Sequence, residues 1–168
     1  MSSEEELGLE EFREKATEAT LCFVMDDNEI LLIEKKRGVG EGLYNGPGGK
    51  VEKNESIEEC AIREVKEETR IDIQNVEKIG ELEFIFGQDP FMFVHVFTTS
   101  EFSGEIEETE EARPEWFSIE NIPLNEMWPD DKYWIPKMLN GEKFLARFYF
   151  DEEGDKILNH SFEDTEFT

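Results

Sequence analysis

Apolar and polar positions along the chain sort into short strand-like runs, with two helical periods set between them. Residues 17–25 carry Leu21-Cys22-Phe23-Val24-Met25, and residues 29–34 carry Ile30-Leu31-Leu32-Ile33. Asp26-Asp27-Asn28 between them is a turn signal, so the two runs predict a strand hairpin. Residues 38–49 contain six glycines and no apolar period, a loop whose backbone can approach a ligand closely. Residues 56–69 follow a helical period, with Ile57, Ala61, Ile62 and Val65 expected on the core side. Ser56 fits the helix N-cap, and Glu59 three residues later completes a capping box.

The second half repeats the alternation. Strands are expected over 78–86 and 91–99, joined through Gly87-Gln88-Asp89-Pro90. Residues 101–111 read as an acidic connection and 114–118 as a short strand. Trp128-Pro129-Asp130-Asp131 opens a helix to about residue 139, and strands follow over 143–150 and 156–162. Phe144, Ala146, Phe148 and Phe150 alternate, the mark of a sheet face with one buried side. Residues 1–16 are polar and acidic, an N-terminal extension with a frayed start or a short surface helix over 9–15. Residues 17–168 are expected to be a single domain. Mixed strands around two principal helices predict an α/β (α+β) protein, an α/β/α sandwich with a mixed sheet.

Charge changes the picture of partners. The formal net charge is −26 over 168 residues, with 43 acidic against 17 basic side chains. A polyanion of this size is repelled by nucleic acid polymers and anionic membranes, so neither is expected as a partner. No run of 18 apolar residues occurs and the start, Met1-Ser2-Ser3-Glu4-Glu5-Glu6, is acidic, so a cytoplasmic location is expected. Cys22 and Cys60 lack metal-ligand spacing and read as reduced packing residues. Lys35-Lys36-Arg37, just before the glycine-rich loop, is the one strongly basic cluster and a candidate for phosphate attraction. A solvated strand end is its competing reading.

The chemistry concentrates between Gly49 and Ile71. Glu64, Glu67 and Glu68 stand at i, i+3 and i+4, so a helix puts three carboxylates on one face. Like charges at that spacing cost a helix about 0.2–0.5 kcal/mol per pair. A divalent cation removes that cost, and Mg2+ takes carboxylate oxygens together with substrate phosphates. A solvated acidic helix is the alternative, but it leaves Gly48-Gly49 and Arg63 without a reason.

The segment resembles the Nudix box: Gly, five residues, Glu, seven residues, then Arg-Glu-apolar-any-Glu-Glu-any-Gly-apolar. Gly49, Glu55, Arg63, Glu64, Val65, Glu67, Glu68 and Ile71 fall on that pattern, and Arg70 stands where the family has Gly. The resemblance extends to Lys35–Gly42 and Tyr44–Val51, to Val94-His95-Val96-Phe97, and to the stretch from Met127 to Trp134. These stretches are similar to the subgroup that hydrolyses oxidised purine nucleoside triphosphates, the MutT-like 8-oxo-dGTP diphosphatases. Within that subgroup's glycine-rich loop an aromatic residue is replaced here by Val39.

The resemblance implies a Nudix fold and a Mg2+-dependent enzyme, with Mn2+ as a substitute, that sanitises the nucleotide pool in support of DNA repair. The substrate would be cut to monophosphate and pyrophosphate by a chain acting as a monomer. Glu64, Glu67 and Glu68 would hold the metal, with the Gly49 carbonyl and Glu111 as further ligands, and one glutamate would be the general base. Glu55 and Arg63 would orient loop and helix. Asn45 would bond the base, Trp128 would stack on it, and Asp130 with Asp131 would read its edge. Lys35, heading the basic run, is counted with the substrate. Asp130 or Asp131 also fits an N-cap, Trp128 and Trp134 also fit core, and His95 reads as structural. Phe84, Phe86 and Met92 read equally as pocket wall or core. Alternatives are a Nudix hydrolase of another diphosphate, a Nudix-fold isomerase and a non-catalytic nucleotide-binding module.

Overall fold

The computed structural model describes residues 9–38 and 40–165. Val39, whose loss of an aromatic ring bears on the loop, and the acidic start before Leu9 lie outside the described residues. The elements run α1 (Leu9–Lys15), β1 (Thr17–Asp26), β2 (Glu29–Lys35), β3 (Tyr44–Asn45), β4 (Gly48–Lys50) and α2 (Ile57–Thr69). There follow β5 (Asp72–Gln74), β6 (Glu77–Phe86), β7 (Asp89–Thr99), β8 (Glu101–Ser103), β9 (Ala112–Ser118), α3 (Asp131–Leu139), β10 (Phe144–Phe150) and β11 (Ile157–Asp164). No helix among the described residues is long and apolar enough to cross a membrane.

The main sheet is mixed, in the order β11-β10-β6-β7-β1-β2-β3, with β4 on β1 and β9 on β2. The expected hairpin of β1 and β2 is present but pairs only Met25 with Ile30 and Asp26 with Glu29. The rest of β1 runs parallel to β7, from Thr17 beside Met92 to Val24 beside Thr99. Local sequence signals a turn; it does not carry the non-local pairing that opens the hairpin.

Alternation along β1 sends its two faces into two cores. Cys22 and Val24 pack with Leu31, Ala61, Val65 and Phe97 under α2. Ala19 and Phe23 pack with Val94, Val96, Trp134 and Phe148 toward α3. Phe23 meets Trp134 edge to face at 5.7 Å, a geometry worth about 0.5–1.5 kcal/mol beyond area burial. Phe144, Ala146, Phe148 and Phe150 are all buried, as their alternation predicts. The result is the expected layering of helix, sheet and helix.

Several details differ from expectation. Ile62 is exposed, not core-facing. The buried stripe of α2 runs through Cys60, Ala61, Val65, Glu68 and Thr69, and one residue past Ala61 is a turn of about 100° toward solvent. The acidic connection holds β8, paired with β5 in a separate two-stranded sheet. The β6–β7 turn is only Gly87-Gln88, and Pro90 lies inside β7 at a register irregularity, the position a residue without an N–H tolerates. Helix α1 forms as expected, but its Phe12 is fully buried against Ile85 and Phe93. Arg13 beside it sits 4.0 Å over the Phe93 ring and bonds Glu81 at 2.9 Å.

The capping box of α2 is intact, with Ser56 and Glu59 bonding each other's backbone N–H. At the other end Arg70 takes the left-handed conformation, φ 75°, that the family's glycine would favour. The helix ends as the pattern requires, at a cost of about 1–2 kcal/mol for the side chain.

Candidate active site

Helix α2 lies against β4, and two of its carboxylates point at the β4 backbone. Glu68, 3% exposed, accepts the Gly48 N–H at 2.8 Å. A Cβ on Gly48 would stand 1.9 Å from the Thr20 carbonyl oxygen, and one on Gly49 would stand 2.0 Å from Glu64 Oε2. Close approach, not an unusual φ, therefore calls for glycine at both positions: Gly48 to clear the backbone and Gly49 to leave the Glu64 carboxylate in place.

Glu64, Glu68 and Glu111 each bring an oxygen to one point, all within 4.8 Å of one another. Burial pushes the Glu64 carboxyl up to about 7, helped by the charges of Glu67 and Glu111 and opposed by Arg63. Burial pushes Glu68 up to about 8, with the Gly48 N–H and Lys35 opposing and Glu64 and Glu111 adding. Three carboxylates converging on one point, two of them pushed toward the neutral form, offer only oxygen donors and fit a hard divalent cation.

Glu67 is not in that trio. Its side chain is half exposed and accepts Arg63 Nη1 at 3.2 Å. Arg63 grips Glu55 through Nε at 2.6 Å and Nη2 at 3.0 Å, and its Nη2 also reaches the Lys50 carbonyl at 3.1 Å. This fork ties the helix to the loop, and the bonded guanidinium holds the Glu55 carboxyl down at about 2. The i, i+3, i+4 face thus splits, with Glu64 and Glu68 turned inward and Glu67 on the Arg63 side.

A cavity of about 410 Å³ is lined by Glu68, Gly49 and Lys35 together with Asn45, Trp128, Asp130 and Asp131. Phe84, Phe86 and Met92 line it and also pack against the main core, so they serve as pocket wall and core at once. Asp130 and Asp131 are 2% and 3% exposed. Asp130 Oδ2 accepts Trp134 Nε1 at 2.8 Å and makes no cap bond to α3, so N-capping is not its role. Asp131 Oδ2 is buried with no hydrogen-bond partner among the described residues. Burial raises Asp130 to about 6, and burial with the neighbouring Asp130 charge raises Asp131 well above its usual value. Trp134 is fully buried core, while Trp128 is half-buried at the cavity, its Nε1 3.1 Å from where a Cβ on Gly40 would lie. Asn45 Oδ1 accepts the Gly46 N–H at 2.9 Å.

Other candidates separate from this site. His95 lies between Glu18 at 2.7 Å and Lys78 at 2.9 Å, satisfied as a neutral ring with its proton on Nε2. Cys22 and Cys60 are free and buried. Of the basic cluster only Lys35 lines the cavity. Lys36 turns to Glu108 and the Thr109 carbonyl, and Arg37 is 3.9 Å from Glu111. Sequence reasoning missed Phe150 and Phe91 as cavity wall, though strand alternation carried the signal for Phe150. It also missed Thr109, whose hydroxyl accepts the Glu111 N–H at 3.2 Å, a Ser/Thr-turn signature just before Glu110-Glu111.

Comparison with known proteins agrees with this geometry. The NUDIX domain model matches residues 15–138. The chain is 42% identical over 143 residues to the mouse (Mus musculus) oxidized purine nucleoside triphosphate hydrolase, spanning 84% of this chain and 91% of that protein. It is 42% identical over 148 residues to the zebrafish (Danio rerio) protein of the same description, spanning 88% and 94%. Among solved structures it is similar to a MutT protein from Bacillus halodurans, with TM-score 0.78, 27% identity, and 88% and 97% of the two chains covered. With Glu64 and Glu68 of the box brought against Gly48 and Gly49 and the domain model spanning most of the chain, the protein belongs to the Nudix hydrolase family.

Proposed function

We propose that this chain hydrolyses oxidised purine nucleoside triphosphates, such as 8-oxo-dGTP, to the monophosphate and pyrophosphate in the cytoplasm. The observation that carries the reading is one cavity lined both by Glu68, Gly49 and Lys35 and by Asn45, Trp128, Asp130 and Asp131. The first set suits a metal-bound polyphosphate and the second a flat base with donors and acceptors along its edge. The similarity to mouse and zebrafish oxidized purine nucleoside triphosphate hydrolases supports the same substrate class.

Water attacks phosphorus in this chemistry, so the chain supplies positioning and charge, not a nucleophile. Glu64, Glu68 and Glu111 would hold Mg2+, with Glu67 and the Gly49 carbonyl as further ligands. When bound there, Mg2+ neutralises phosphate charge and activates water as a Lewis acid. Arg63 and Glu55 keep loop and helix in register. Lys35 faces the phosphates. Trp128 stacks on the base, worth about 1–3 kcal/mol, and Asn45 bonds its edge.

Asp130 and Asp131 read the remaining edge as an unequal pair. Two buried adjacent carboxyls do not both ionise, so one donates where the other accepts. Exchange of that proton lets one pocket take oxidised guanine and oxidised adenine. The catalytic unit is residues 17–168, acting as a monomer.

Pyrophosphate release with Mg2+, lost in Glu67→Ala, separates an enzyme from a nucleotide-binding module. Asp130→Asn and Asp131→Asn are expected to change the preference between oxidised guanine and adenine. An unchanged preference in both would contradict the shared-proton reading.

A further inference from the structure

Glu111 reaches the site from a segment that should avoid it. Residues 105–111 carry Glu105, Glu107, Glu108, Glu110 and Glu111 in a chain of net charge −26. Two carboxylates, half-buried Glu64 and buried Glu68, wait at the destination, and like charges at that range repel. Some cation must hold the segment down while Glu111 is placed.

The contacts single out Lys36. The β2–β9 ladder runs from Glu29 beside Ser118 to Lys35 beside Ala112 and stops there. One residue on, the Lys36 backbone N–H donates to the Glu111 carbonyl at 3.0 Å. Its ammonium turns back over the segment, donating to the Thr109 carbonyl at 2.7 Å and pairing with Glu108. Thr109, 7% exposed, passes that restraint on: its hydroxyl accepts the N–H of Glu111 at 3.2 Å and of Ala112 at 3.1 Å. Arg113 adds a second cation to Glu108 at 3.4 Å. Arg37 stands 3.9 Å from Glu111 with its side chain largely exposed, too loose to fix a position.

We propose that Lys36 is a positioning residue for the metal site: its ammonium latches the Glu108–Thr109 segment and so delivers Glu111 as the third carboxylate beside Glu64 and Glu68. It does not bind substrate phosphate. The proposal rests on the reading of Glu111 as a metal ligand.

The test is Mn2+ binding to the nucleotide-free protein, measured by the electron paramagnetic resonance of free Mn2+, for wild type, Lys36→Met, Glu111→Gln and the double variant. Each single variant is expected to weaken Mn2+ binding by about tenfold or more, the usual effect of losing a partner behind a ligand. The double variant is expected to bind no more weakly than Glu111→Gln alone, because Lys36 acts through Glu111. Lys36→Arg is expected to restore binding, since a guanidinium can donate to the same carbonyl and carboxylate. Unchanged binding in Lys36→Met beside weakened binding in Glu111→Gln overturns the latch and leaves the ligand reading standing. Additive losses overturn it too, because Lys36 would then act elsewhere. Unchanged binding in Glu111→Gln overturns the ligand reading itself. Glu108→Gln, at an exposed position, repeats the test without touching Lys36. Its effect is expected in wild type and absent in the Glu111→Gln background, and an equal effect in both overturns the proposal.

Discussion

Gly49 and Glu64 fit together with no room for a side chain between them: a Cβ on Gly49 would stand 2.0 Å from Glu64 Oε2. The clash is with the end of a flexible side chain, so Gly49→Ala is expected to fold and to displace the carboxylate. Misplacing a group by about 1 Å costs on the order of 100-fold in rate. A loss of that size in kcat/KM, with a melting temperature near wild type, is the expected result. Gly48→Ala differs, because its Cβ would meet the Thr20 backbone at 1.9 Å. It is expected to lower the melting temperature sharply, and thermal denaturation of the two variants side by side checks the contrast.

Arg63 holds Glu55 by a two-pronged fork at 2.6 and 3.0 Å. The fork lowers the Glu55 carboxyl from 4.5 to about 2, so the folded state favours the charged form. Stability from this pair is present above about pH 4.5 and is lost as pH falls toward 2. Arg63→Lys keeps the charge and loses the fork. Its melting temperature is expected to fall below wild type at pH 7, with the gap clearly narrower at pH 3. A gap unchanged between those pH values would contradict the assignment.

Asp130 and Asp131 act in the opposite sense. Both are raised from 3.8 by burial, Asp130 to about 6, and Asp131 well above its usual value with the Asp130 charge adding. Between their unfolded and folded values the native state binds more protons, so stability falls as pH rises from about 4 through 6 and beyond. Asp131→Asn removes one group's share and the like charge beside Asp130. The variant is expected to lose less stability than wild type between pH 5 and pH 8, measured by denaturant midpoints. Glu64 and Glu68 contribute equally in both proteins and cancel in the comparison. Parallel pH profiles would contradict the account.

Net charge makes a further demand on the fold. At −26, self-repulsion is screened by salt, whose Debye length is about 10 Å at 0.1 M and about 3 Å at 1 M. Unfolding measured against KCl concentration is expected to show rising stability from low to molar salt. Equal stability at both ends would show that local ion pairs such as Lys36 with Glu108 and Arg113 with Glu34 already balance the charge.

Much of this was legible in the sequence because the relevant signals are local. The capping box and the Phe144–Phe150 alternation each sit within a few residues, and each is where the pattern put it; the β6–β7 turn is there too, but two residues shorter than expected. The box spacing put Glu64 and Glu68 on one face and Glu55 within reach of Arg63. What stayed hidden is non-local. The parallel pairing of β1 with β7 joins residues more than seventy positions apart, and the β5–β8 pair has no pattern of its own. Glu67 matches the same period as Glu64, yet Arg63 draws it aside, a competition that spacing cannot express. Phe12 read as surface because its short helix gave no sign of the apolar Ile85 and Phe93 awaiting it.

The central claim is that the pocket holding Asn45, Trp128, Asp130 and Asp131 selects an oxidised purine. It is tested most directly by kcat/KM for 8-oxo-dGTP and for dGTP under the same Mg2+ concentration. One well-made hydrogen bond to the oxidised edge is worth about 1 kcal/mol or more. The expected preference for 8-oxo-dGTP is therefore at least about fivefold, reduced in Asp130→Asn and Asp131→Asn. Equal kcat/KM on the two nucleotides would contradict it.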